Sequence, residues 1–410
     1  MSLVATSPPL ANGARFRRNI GLLYAIRILF WSHFFAAVMV AFFTQWGGLK
    51  LSHVFYLNAW FMLCSFLLEV PTGTIADFLG RKVSLALGGV VAALGAWVYS
   101  ADPSWPRFAV AELLFATAFT LHSGADEALA YDSLKAAGDE PSAIRVLSRL
   151  EACKLIGINV GTLTGGWIAA TWGVTAPMRA YAIPTLLVFV LSLFLREVPT
   201  ATETRSRRTY FRLLIEGGRY FATHPVLRLL SLELAITNAL AWSIIWLYQP
   251  VALAAGIPLK FLGLVHATAC VGQILFLTHV DTLIRWAGSR RRLLLFSTVL
   301  AGVAMLALGF VRSVPLVVPL IVIAFAFSLP RIAIYTAQFN ALIPSDKRAT
   351  VLSFASMVRT FGIVLFNPLT GLMADRSLTL ALGVIGGLLC LVPWFSRLEE
   401  KHLEQSAAGT

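Results

Sequence analysis

The chain has 410 residues, of which 58% are hydrophobic and only 13% charged, a balance too apolar for an ordinary water-soluble domain. Its formal charge of +13 would suit nucleic acid, but the basic residues are scattered over short loops between apolar runs, so a membrane and not a nucleic acid is the expected partner. Cys64, Cys153, Cys270 and Cys390 lie singly in separate apolar runs with no CxxC and no His at ligand spacing, which predicts packing residues and neither disulfide, metal site nor cofactor.

Arg15, Arg17 and Arg18 precede an apolar run from about residue 20 to 46. The flank is like that of a signal peptide, but the run contains Arg27 and ends without a small-residue cleavage pattern, so a retained first span is expected. A bilayer takes about 20 apolar residues. Further runs follow at 52–76, 83–100, 106–135, 143–170, 176–195, 225–254, 260–280, 292–311, 315–342, 349–373 and 377–396, each bounded by Gly, Pro or charge. The expected fold class is therefore an all-α polytopic membrane protein with twelve transmembrane helices. The polar stretch from Arg196 to Arg228 divides it into an N-terminal half (1–195), a cytoplasmic loop (196–224) and a C-terminal half (225–410) with a short cytoplasmic tail.

With both termini in the cytoplasm, most of the 33 Lys and Arg residues fall on the inner side, and the outer loops keep only Lys50, Arg107, Arg179, Lys260, Arg312 and Arg376. This asymmetry is the positive-inside rule, and the expected location is a bacterial-type cytoplasmic membrane. The basic loop would meet anionic head groups or act as a solvated linker, and both readings fit.

Between the second and third spans the sequence reads EVPTGTIADFLGRK, Glu69 to Lys82. Gly73, Asp77, Gly80, Arg81 and Lys82 reproduce the pattern G-x-x-x-D-x-x-G-R-[KR], and the segment resembles the corresponding loop of the major facilitator superfamily, although Phe78 stands where a basic residue often follows the Asp. Gly73 would admit a close helix, Gly80 a tight reversal, and Asp77 would pair with Arg81 and accept from a helix N-terminus. The resemblance implies two six-helix halves that rock about a central site, lined by the first, fourth, seventh and tenth spans, with Asp77 as a latch on the N-terminal end of the eleventh span near Arg348 and Thr350.

The halves repeat at an offset of about 205 residues. Val146–Ser148 recurs at Val351–Ser353, Gly157 matches Gly362, Gly166 matches Gly371, and Lys154 matches Arg359. Asp281, followed by Arg290 to Arg292, is a degenerate copy of the Asp77 loop, with Leu277 in place of the first Gly.

An ionisable side chain in mid-bilayer costs at least about 2.5 kcal/mol, so those present should face a cavity or one another. Arg27 lies roughly 15 Å into the first span, and Asp126 and Glu127 roughly 12 Å into the fourth, so they can meet. Glu233 and Arg331 repeat the arrangement with signs exchanged, and Lys154 and Arg359 form a second basic pair. Tyr24, His33, Trp242 and Tyr335 lie on the same spans, where helix-holding salt bridges and packing are the alternative to a binding pocket. In-span bases outnumber the acids Asp126, Glu127 and Glu233, which leans towards an anionic or zwitterionic solute.

On the fifth span, Gly157, Gly161, Gly165 and Gly166 resemble the antiporter pattern G-x-x-x-G-P-x-x-G-G of the superfamily with Thr162 in place of Pro, which implies export, while general helix packing is the alternative. Glu112 stands where counting back from Asp132 would place the family's Arg. With no HExxH, GxSxG or GxxxxGK[ST], no enzyme and no ATP-driven pump is expected. The expectation is a monomeric secondary transporter that exports amphipathic compounds in exchange for protons, with uptake or export of an anionic metabolite or siderophore as the alternative.

Overall fold

The structure is a computed structural model that describes residues 13–198, 207–344 and 348–404. Residues 199–206 of the basic loop, Lys347 and both tails lie outside the described residues, and so does the side chain of Thr350. The first half comprises α1 (Gly13–Phe30), α2 (Met39–Ala41), α3 (Leu51–Leu79), α4 (Arg81–Ala101), α5 (Trp105–His122), α6 (Ala125–Ala136), α7 (Ala143–Trp172) and α8 (Ala176–Leu193). The second comprises α9 (Arg207–Thr223), α10 (Pro225–Trp242), α11 (Ile244–Ala254), α12 (Leu262–Thr278), α13 (Val280–Ala287), α14 (Arg290–Phe310), α15 (Val314–Ser328), α16 (Ile332–Leu342), α17 (Arg348–Arg376), α18 (Leu378–Phe395) and α19 (Glu400–Glu404). Among the described residues there is no strand.

Ten helical stretches are long and apolar enough to cross a bilayer. α1 is rich in arginine and α7 in glycine and threonine, and these two complete a twelve-span all-α fold.

Four spans expected to be continuous are broken. α1 stops at Phe30, and its chain resumes as short turns from Ala36 to Trp46. The fourth span breaks between α5 and α6 at Ser123 and Gly124, where Gly124 takes φ +74°, a left-handed conformation that side chains resist. The seventh breaks at Ser243 between α10 and α11, and the tenth at Leu329–Arg331 between α15 and α16, beside Pro330. Each break creates a helix N-terminus within a span, where unpaired N–H groups favour negative charge. Asp126 and Glu127 occupy such an N-terminus on α6.

By Cα proximity the chain forms two compact units, one of Met1–Ala36, Leu67–Ile168 and Thr175–Glu203, the other of Ala37–Phe66, Ala169–Val174 and Thr204–Thr410. In the first, α4 lies against α8 so closely that a Cβ on Gly89 would come 2.8 Å from the Thr185 carbonyl oxygen. In the second, α14 and α18 meet in the same way, with Gly302 facing the Gly386 carbonyl at 2.7 Å and Gly386 facing that of Gly302 at 2.6 Å. Small residues let backbones approach where lipid gives no hydrophobic drive to associate.

The start of α3 belongs to the second unit, packed along one face of α17. Ser52 N–H donates to Asp375 Oδ1 at 3.0 Å, Gly371 sits where a Cβ would be 2.6 Å from Ser52 Cα, and Asn367 Nδ2 donates to Asn58 Oδ1 at 2.6 Å. Residues 367, 371 and 375 are four apart, one stripe of a helix.

Candidate functional site

The first unit gathers charge around Arg27, near the C-terminal end of α1. Its Nη1 donates to Asp126 Oδ2 at 2.5 Å, and its Nη2 to Glu127 Oε1 at 2.9 Å and Glu151 Oε2 at 3.2 Å. Asp126 is fixed from below, since its Oδ1 accepts the Glu127 N–H at 2.9 Å. Lys154, one turn along α7 from Glu151, donates to Glu151 Oε1 at 2.9 Å, and its ammonium stands 4.8 Å from the centroid of the Trp31 ring. The side chains of Arg27 and Asp126 are 9% and 1% exposed, whereas those of Glu127 and Glu151 are each 51% exposed. The cluster is thus closed on one side and open on the other.

Aromatic rings and glycines hold this geometry. Tyr181 donates its hydroxyl to the Phe30 carbonyl at 2.6 Å, satisfying an orphan acceptor where α1 breaks. His33 lies among the rings of Trp31, Phe35, Phe119 and Tyr181, and its Nε2, like the hydroxyl of Tyr24, is buried without a hydrogen-bond partner among the described residues. A Cβ on Gly157 would meet the Ile28 carbonyl oxygen at 2.5 Å, one on Gly161 would meet the His33 nitrogen at 2.6 Å, and one on Gly165 would overlap Phe34 backbone. The α7 glycines therefore seat the broken end of α1, and Gly166 is buried beside them.

In the second unit, Glu233 of α10 accepts from Tyr335 at 3.2 Å and from Ser396 at 2.8 Å. Arg331 is 2% exposed and stands at the N-terminus of α16, the end that repels cations. Its guanidinium turns back instead to the end of α15, with Nε donating to the Ser328 carbonyl at 3.0 Å and Nη1 to Thr298 Oγ1. Trp242, expected among the charges, donates Nε1 to Asn58 at 3.2 Å and so joins the amide pair Asn58–Asn367. Arg359 is half-buried in α17 and donates to Ser356 at 3.3 Å on its own helix.

The loop after α3 departs from expectation in two places. Gly73 is exposed, and among the described residues nothing lies within 4 Å of a Cβ built on it. Arg81 pairs with Asp132 of α6, while Asp77 is exposed, because Arg81 opens α4 and its side chain runs across to α6. Gly80 makes the expected reversal at φ +94°. The N–H groups it frees at Arg81 and Lys82 are taken by Glu197, at 2.9 and 2.8 Å, and Lys82 Nζ donates to the Leu193 carbonyl at 2.8 Å. The degenerate second loop keeps this device, for Glu400 accepts from Arg290 N and Arg291 N, both at 3.0 Å. Glu151, Glu197, Glu400, Ser396 and the amides Asn58 and Asn367 are the partners that sequence reasoning missed.

No protein-family model matches the chain. Over 166 residues, 40% of its length, it is 29% identical to a human protein, Solute carrier family 67 member A1, and the match spans 37% of that relative. The fold is close to that of the nucleoside transporter NupG, with a TM-score of 0.76 at 12% identity over 95% of this chain and 100% of that one. It is also similar to a D-xylose-proton symporter (TM-score 0.71, 17% identity, 94% and 99% covered). A bacterial homolog of the human lysosomal transporter Spinster is a third (0.67, 15%, 97% and 94%). At these identities the likeness establishes the fold, the twelve-helix major facilitator arrangement that the Gly73–Lys82 loop resembles.

Proposed function

We propose that the chain is a secondary active transporter that moves a small organic solute by alternating access, with the Arg27 cluster as the place where solute and proton meet. The observation that carries this is the convergence of three carboxylates on one guanidinium, two of them half open. A bridge that only held helices together would need one carboxylate, and charge placed in a span is costly unless it is used. Spare carboxylates let Arg27 exchange partners when a proton or a charged solute arrives. Proton-coupled efflux of amphipathic compounds across the cytoplasmic membrane, by a monomer with both termini inside, is the reading favoured by the α7 glycines. The loop of Gly73, Asp77, Gly80, Arg81 and Lys82 would act as the conformational latch between two six-helix halves.

The test is reconstitution into liposomes with an imposed pH gradient and an internal pH dye. Addition of amphipathic amines, acids and neutral compounds should reveal a solute-driven proton flux that Asp126→Asn abolishes; flux no greater than in empty liposomes for every solute would sink the reading. One observation favours the anionic alternative: Arg359, half-buried in a span, meets only a hydroxyl of its own helix among the described residues. Loss of anion counterflow in Arg359→Gln, with amine flux absent from the wild type, would select it.

A further inference from the structure

Resting on the reading of the Arg27 cluster as the solute site, we propose that its solute is an organic ammonium, and that Lys154 is a tethered occupant of the ammonium seat which the solute displaces. The Lys154 ammonium has a carboxylate oxygen at 2.9 Å and an aromatic face at 4.8 Å. That pairing of carboxylate and indole is how proteins recognise alkylammonium groups, and here the protein's own side chain fills it. The seat is built by register. Arg27 and Trp31 are one turn apart where α1 ends, Glu151 and Lys154 one turn apart on α7, so arginine faces glutamate on one rung and indole faces lysine on the next. Gly157 then brings α7 against the Ile28 carbonyl and fixes the spacing.

Charge decides the class of solute. Asp126, Glu127 and Glu151 face Arg27 and Lys154, which leaves one formal negative charge uncompensated in the cluster. It lies on the open side, because Asp126 is sealed against Arg27 while Glu127 and Glu151 remain half exposed. An entering anion would meet these carboxylates first, and both terminal nitrogens of Arg27 are already engaged. Of the other titratable groups beside Arg27, His122 is 5% exposed and stacked on Phe30 at 3.7 Å, so it adds no accessible cation, and Cys153 is a thiol that can add none. Glu151 therefore corrects the anionic lean of the sequence, which counted only Asp126, Glu127 and Glu233. A tethered ammonium competes at the high effective concentration of a short linker, so it lowers affinity for any free cation and sets a threshold for entry.

The experiment measures binding of radiolabelled benzyltrimethylammonium to the purified full chain in lipid nanodiscs, with neopentylbenzene as the uncharged isostere and benzoate as the anionic competitor. Lys154→Met should tighten binding about tenfold, Lys154→Arg should leave it near wild type, and Trp31→Leu and Glu151→Gln should each weaken it about tenfold or more, with Trp31→Phe retaining most of it. Neither competitor should displace the cation. Equal affinity in Lys154→Met and wild type, or displacement by benzoate, would overturn the proposal. Solute-driven proton flux that Asp126→Asn abolishes, without ammonium binding, would remove the ammonium seat and keep the transporter; ammonium binding that follows the Lys154 variants, without flux for any solute, would do the reverse.

Discussion

The carboxylate of Glu197 holds the backbone N–H of Arg81 at 2.9 Å with one oxygen and that of Lys82 at 2.8 Å with the other, tying the end of the sixth span to the first turn of the third. A carboxylate there satisfies orphan donors and complements the helix dipole, worth about 1 kcal/mol where it is open to solvent. Glu197→Ala should lower the melting temperature in detergent, Glu197→Gln by less, and Glu400→Ala by a similar amount to Glu197→Ala, since it caps Arg290 in the same manner.

Arg27 and Asp126 are buried together, so removing one strands the other. Arg27→Met or Asp126→Leu alone should cost about 3–5 kcal/mol, and the double variant less than either. Recovery should be incomplete, because Glu127 and Glu151 also lose Arg27. Unfolding followed by tryptophan fluorescence would show the order; an additive double variant would refute the coupling.

Glycines of the two sequence patterns, the loop after α3 and the fifth span, should behave in opposite ways. Gly161→Ala and Gly165→Ala force a methyl group into the backbone of residues 32–34, and overpacking of this kind costs about 1–3 kcal/mol. Gly73→Ala meets nothing within 4 Å and should leave thermal stability unchanged or raised, as expected of Gly to Ala within a helix. A fall in stability in Gly73→Ala matching that of Gly161→Ala would contradict the packing described.

Asn58 serves two donors, Trp242 Nε1 and Asn367 Nδ2. Asn58→Ala should therefore destabilise more than Asn367→Ala, each lost buried bond costing about 1–3 kcal/mol. It should also shift the emission of Trp242, which a Trp242→Phe control would identify.

The spans were legible because they are long and apolar, and the pairing of Arg27 with Asp126 and Glu127 followed from depth together with the central cavity that the family resemblance implies. The breaks were less so. Gly124 and Pro330 are audible in the sequence, but Ser243 carries no signal, for a helix can hold serine and its interruption is set by tertiary packing. Glu151 was overlooked although it lies about as deep in its expected span, 143–170, as Asp126 does in the fourth. Its spacing of three from Lys154 was the available clue. Glu197 and Glu400 each follow the last span of a half at nearly the repeat offset, and reading the repeat through the loops would have paired them. Arg331 stands at the N-terminus of α16 as Asp126 stands in the first turn of α6, yet its neighbours were not foreseen, because its side chain serves the end of the preceding helix rather than the start of its own.

Ala37–Phe66 belongs to the unit that contains α17, although it is made early in synthesis. Roughly 300 residues separate Phe66 from Arg376, about 15 to 60 s of translation at usual rates, before Asp375 exists to hold Ser52. Through that interval the second span inserts without its eventual neighbour, with Asn58 unable to reach Asn367. The contact of α3 with α17 is therefore closed late, after Asn58 has already met Trp242, and premature termination within the final spans would release a product with part of that polar stripe unmatched inside the bilayer, the kind of exposed feature by which membrane quality control selects its clients.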